Sequence, residues 1–142
     1  MTAMLNPNDF RHYDIAEFPI VSIRGSRLPA GYAPQWIREM DALVAHAQPF
    51  AFVFIDSAEH PEHEDQKAQM QWLKAHKKAL AEVCRGIVAV EPDRAKRLLK
   101  RAQAAAISRG FGLRMSIAPD LDEARSRARR LLAGDEIADE EP

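Results

Sequence analysis

Short apolar runs alternate along this chain with longer stretches whose apolar residues recur every three or four positions. The sharpest run is Phe50–Ile55, inside PFAFVFIDSAE, and it stops at Asp56-Ser57. A run this short, aromatic and β-branched predicts a strand buried on both faces. Ile87–Val90 predicts a second buried strand, and Leu113–Ile117 a last short one. Near the start, Phe10–Ile15 and Phe18–Arg24 are extended candidates separated by Ala16-Glu17. A link that tight predicts an antiparallel hairpin.

The periodic stretches predict four helices. Trp36, Ile37, Met40, Leu43, Val44 and Ala47 follow the spacing of one helical face, over about 33–47. Pro34 suits the first turn of that helix, and Pro49 closes it. A longer helix is predicted over about 64–83, with Met70, Trp72, Leu73, Ala79, Leu80 and Val83 among its apolar positions. Pro92-Asp93 opens a third, reaching about Arg109, with Gly110 as its C-cap. Its expected inward stripe is Ala95, Leu98, Leu99, Ala102 and Ala106, with Arg94, Lys96, Arg97, Lys100 and Arg101 outside. Asp120 followed by Glu123 starts the fourth helix, with Leu121, Ala124, Ala128, Leu131 and Leu132 inward and Gly134 beyond its end.

The order β-β-α-β-α-β-α-β-α predicts an α/β fold. Its core is a mainly parallel central sheet of about five strands, with an N-terminal β-hairpin and four helices. Residues 10–133 form the expected domain, after a flexible leader over 1–9 and before an acidic mobile tail over 134–142.

Composition narrows the function classes. The net charge is −1, which gives no bulk reason for a nucleic-acid partner. Charge is uneven, however. Residues 85–130 hold twelve Lys/Arg against five Asp/Glu, whereas residues 51–70 hold five acids and one lysine. Solvated helix faces are the ordinary cause of such asymmetry. No apolar run approaches the ~20 residues of a membrane helix, so membrane insertion is not expected. Cys84 is the single cysteine and falls at the end of a helical stripe, which predicts a buried, inert thiol. A chain without disulfides fits a reducing compartment, hence the cytoplasm.

Candidate chemistry is sparse. His60 and His63, with Asp56, Glu59, Glu62 and Glu64 nearby, have the composition of a metal site but no fixed ligand pattern. Pro61 lies between the two imidazoles. Asp56, Glu91 and Asp120 each fall just past a predicted strand, where α/β sheets expose working groups. Each also suits a cap or a turn. His76 lies on the Trp72–Leu80 side of its helix, without a Ser or Cys partner, and reads as packing. There is no Gly-rich phosphate loop and no paired-cysteine motif, and no cofactor is expected.

In its order of elements, the chain resembles the STAS domain, in particular the SpoIIAA-like (STAS/SEC14-like) single-domain bacterial proteins. The residues that carry the likeness are Phe18-Pro19-Ile20-Val21, Phe50–Asp56, Trp72-Leu73, Cys84–Val90 and the Leu121–Leu132 helix. The likeness covers about residues 10–133. It implies a non-catalytic regulatory or protein-interaction domain, with a protein partner or a second copy of itself as the associate. Antagonist members end this strand in Asp-Ser and are phosphorylated on a serine at the next helix start. Here Asp56-Ser57 resembles that junction, but it continues Ala58-Glu59 rather than Ser-Gly. A phosphate on Ser57 would also meet Glu59, Glu62 and Glu64. Asp56, Ser57 and Glu59 are the expected regulatory or contact residues. The SEC14-like side of the likeness implies instead a carrier of a small apolar ligand. A metal-dependent enzyme built on His60, His63 and Asp56 is the third reading.

Overall fold

The computed structural model describes residues 5–57 and 62–135. Five strands form one sheet: β1 (Tyr13–Asp14), β2 (Ile20–Arg24), β3 (Phe50–Asp56), β4 (Cys84–Val90) and β5 (Met115–Ala118). Their spatial order is their chain order. β1 pairs with β2 antiparallel, and every later pairing is parallel. Four helices complete the fold: α1 (Ala33–His46), α2 (His63–Val83), α3 (Arg94–Phe111) and α4 (Leu121–Leu132). The expected α/β class, with its N-terminal hairpin, is the one observed.

Each parallel crossover steps one strand in the same direction. Crossovers of one hand then stack their helices on one face. The pleat divides the sheet accordingly. Val21, Phe52, Ile87 and Met115 form one row across the strands, and Ile23, Phe54, Ala89 and Ile117 the next. This aromatic-rich face meets Trp36, Met40 and Leu43 of α1, and Trp72 and Leu80 of α2. Phe111, at the end of α3, packs against the same cluster. The opposite face carries Ile20, Ala51, Val53, Val88 and Ala118, and among the described residues α4 covers it, through Ala124, Ala128 and Leu131. Small residues on both sides let α4 lie close. At Asp120 the side chain accepts a hydrogen bond from Glu123 N (2.8 Å), the N-cap expected of this sequence.

Several boundaries differ from the expected ones. The hairpin strands are shorter and their link runs from Ile15 to Pro19. It is turned by Asp14, whose carboxylate accepts from Ala16 N at 2.8 Å, and contains a cis Phe18–Pro19 bond. Of the expected leader, Pro7–Asp9 form a 3-10 turn capped by Asn6, and Leu5 packs against the large core. Of the expected tail, residues 136–142 lie outside the described residues. Cys84 is not in a helical stripe. It is the first residue of β4, which follows α2 without a loop. The thiol is buried, and burial pushes its pKa up to about 12, which fits the expected inert thiol.

The third helix corrects its expected orientation. Leu98 and Leu99 face solvent, Leu99 at 61% exposure, as do Ala95, Ala102 and Ala106. Arg97 and Ala104 are the buried residues. The reason is a local polar anchor. Nη1 of Arg97 donates to the carbonyls of Glu91 (3.0 Å) and Pro92 (2.7 Å), at the exit of β4. These charge-assisted bonds satisfy two carbonyls at the strand exit and hold Arg97 on the inward side of the helix. The helix also runs two residues past Arg109, through Gly110 to Phe111, and Gly112 (φ 68°) is its cap.

Candidate functional site

Asp56 ends β3, next to the 3-10 turn Gly25–Arg27. Its Oδ1 accepts from Ser26 N at 2.8 Å and its Oδ2 from the Ser26 hydroxyl at 2.7 Å. Arg24 Nη1 stands 4.0 Å from Oδ2. Partial burial raises the Asp56 pKa. The two Ser26 bonds, with Arg24 and Arg27, outweigh that and hold the carboxyl below its usual range. Asp56 is therefore an anion at neutral pH. Ser57 and His63 are exposed. Glu59 and His60 lie outside the described residues. Among the described residues, no group of three or more His, Cys, Asp and Glu is placed to hold a metal.

The other two strand-end acids have partners of their own. Glu91 pairs with Lys100 Nζ at 2.8 Å and accepts from Asp93 N at 3.1 Å. The lysine bond is the main cause that lowers its pKa. Burial opposes this, and the Asp93 amide and the lysine charges assist. Because the folded value is depressed, the pair contributes stability above the ordinary value of 4.5, and that contribution fades as pH falls below it. Glu91→Gln should therefore flatten the acid limb of a stability–pH profile measured by urea unfolding. An unchanged limb would show that the pair contributes nothing. Asp120 is occupied as the α4 cap. His76 stacks on Trp72 (4.3 Å, 15°), the packing role expected of it.

The feature that sequence reading did not find is a cavity of about 300 Å³ between the aromatic face of the sheet and the helices above it. Phe52 and Phe54 of β3, Ile87 of β4 and Met115 of β5 form its floor. Met40 of α1, Leu73 of α2 and Ile107 and Phe111 of α3 form its walls. Met70 and Ile107 are 43% and 44% exposed and mark its opening between α2 and α3. The size lies at the lower end of ligand pockets, about 300–1,000 Å³.

Its polar groups are few. Tyr13 and Trp36 line it, and Trp36 Nε1 donates to Tyr13 Oη at 2.9 Å. Burial pushes the Tyr13 pKa well up, so the phenol stays neutral. Gln69 accepts from the Tyr32 hydroxyl. With the Tyr13 phenol neutral, Asp56 is the charged side chain in the lining. Sequence reading thus named one cavity residue, Asp56, for its place at a strand end. Most of the rest are apolar residues that read equally well as solid core.

A second, polar cleft of about 230 Å³ lies at the β1–β2 edge, lined by Arg11, His12, Arg24 and Arg27 among others. It shares Tyr13, Ile23 and Leu28 with the apolar cavity.

No protein-family model matches the chain, and neither the curated proteins nor the solved structures give a significant match. Among the described residues, no helix is long and apolar enough to cross a membrane.

Proposed function

We propose that this domain is a non-catalytic carrier or sensor of a small apolar ligand, held between the sheet and helices α2 and α3. The observation that carries the proposal is the apolar cavity, open between Met70 and Ile107. A core of this composition ordinarily closes at the density of an organic crystal. Here a gap of about 300 Å³ is left, walled by Leu, Ile, Met and Phe, with an opening to solvent. Unfilled apolar surface of that kind gains from an apolar guest. The reading takes up the SEC14-like side of the resemblance. The element order on which that resemblance rests is the order of the structure. The alternative centred on protein contacts uses Ser57, which is exposed, together with Glu59, which lies outside the described residues.

The test is direct. N-phenyl-1-naphthylamine, an apolar dye, should bind with a Kd on the order of 10 μM and brighten on binding. Met115→Trp and Leu73→Trp, each filling the cavity from a different wall, should weaken it roughly tenfold. Circular dichroism melts would confirm that each variant folds. Dye binding that survives both substitutions would place the dye elsewhere and sink the proposal.

A further inference from the structure

The cavity is lined mostly by apolar side chains, and among its few polar groups the charged one is the Asp56 carboxylate. We infer that the ligand is an elongated apolar molecule with a hydrogen-bond-donating head, a protonated amine before an alcohol, and that Asp56 selects that head. The inference rests on the carrier reading above and specifies its ligand class.

Three observations carry it. First, Asp56 lies in the lining, whereas Arg24 and Arg27 line the neighbouring polar cleft and not this cavity. The charged group in the lining is therefore the carboxylate, with Arg24 4.0 Å from its Oδ2 on the side of the polar cleft. Second, the carboxylate has acceptor capacity to spare. Ser26 uses one site on each oxygen, and an ionised carboxylate offers about four. Third, the tethers hold the group in place. Ser26 fixes both oxygens from the turn beside β3, so an incoming donor meets an oriented acceptor rather than a free side chain. Gln69 stands at the same cavity, but its Oε1, which accepts from Tyr32, is a neutral acceptor and weaker than the carboxylate. Its amide N–H₂ is a donor and does not compete for the ammonium role.

A carboxylate head is disfavoured by the same geometry, because like charges repel at short range. The size of the preference follows from exposure. The Asp56 side chain is 37% exposed, so solvent screens the pair. A factor of about fivefold between an ammonium and an alcohol is expected, rather than the larger factor of a buried pair.

Displacement of the dye from the full-length chain at pH 7 tests this with three eight-carbon probes: 1-octylamine, 1-octanol and octanoate. Octylammonium should displace at about fivefold lower concentration than octanol, with octanoate last. Asp56→Asn should bring octylammonium down to the level of octanol. If octanoate binds as well as octylammonium, the arginines govern the head and the inference is overturned. If all three bind alike, or if Asp56→Asn leaves the order unchanged, the inference fails while the carrier reading stands. If none displaces the dye, the carrier reading itself fails, and this inference with it. The wild-type series decides the matter even if the variant does not fold.

Discussion

Replacing Glu39 with alanine is expected to destabilise the protein by about 4 kcal/mol. Glu39 lies on α1 at 1% exposure, yet it is an acid on a face that otherwise buries Trp36, Met40 and Leu43. Its carboxylate accepts backbone N–H bonds from Tyr13 (2.8 Å), His12 (3.2 Å) and Arg11 (3.2 Å), and one from the Gln35 amide (2.9 Å). Those backbone groups belong to β1 and the segment before it, at the edge of the sheet. An edge strand presents donors with no strand beyond to receive them. Glu39 receives them. Removing it leaves a row of half-buried N–H groups without acceptors, at about 1–3 kcal/mol each where water cannot reach. Against a typical domain stability of about 5–15 kcal/mol, that is a large fraction. Urea unfolding would measure it, and a loss under about 1 kcal/mol would mean that water replaces the carboxylate without penalty. Glu39→Gln, with one acceptor oxygen instead of two, should fall between wild type and alanine.

The second large effect is at Gly86, where alanine should cost about 3 kcal/mol. Gly86 sits within β4 at φ 151°, a conformation that side-chain-bearing residues rarely adopt. A Cβ there would meet Leu131 Cδ1 at 2.8 Å and the Arg114 carbonyl oxygen at 3.1 Å. Two costs are therefore present, one steric and one conformational, and they can be separated. Leu131→Ala removes the nearest clash but leaves the backbone strain. The double variant should be less destabilised than the sum of the singles, yet still worse than Leu131→Ala alone. Strict additivity of the two losses would show that the Leu131 contact plays no part.

The contrast between these two residues shows what could be read in advance. Strand β3 was readable as a short apolar run buried on both faces, and helices α1 and α4 because each buries one continuous face whose periodicity is local. Gly86 was not readable as a strand residue, because what demands a glycine there is Leu131, forty-five positions later. Glu39 carried a faint signal, an acid within the apolar arc of its helix. Its partners, however, are the backbone of residues 11–13, and a backbone donor leaves no mark on composition. Asp65 is similar. It is buried at the start of α2 and accepts from Gly31 N (2.8 Å) and Ala33 N (3.1 Å), holding the loop that leads into α1. Helix α3 misled for an instructive reason. Its apolar stripe is genuine, but the inward side holds Arg97, bonded to two carbonyls at the exit of β4, and the stripe faces outward. The cavity was unreadable for a different reason. It is defined by where side chains stop short, and Leu73, Ile87 or Met115 look the same in a sequence whether they touch a neighbour or not.

The sequential strand order has a consequence for widths. Neighbouring strands lie about 4.8 Å apart, whereas packed helices need about 8–10 Å between axes. Three helices on one face, each assigned to the next strand gap, therefore advance at roughly twice the pitch of the floor beneath them. They cannot all stand over their own strands. The last lies at the sheet's border. α2 reaches the core mainly through two long side chains, Trp72 and Leu80, and α3 rests over β5, the border strand. Under a roof wider than its floor, an unfilled span is the natural outcome. The cavity follows from how the chain is wound, so substitutions that enlarge its lining residues should fill it without having to rebuild the fold.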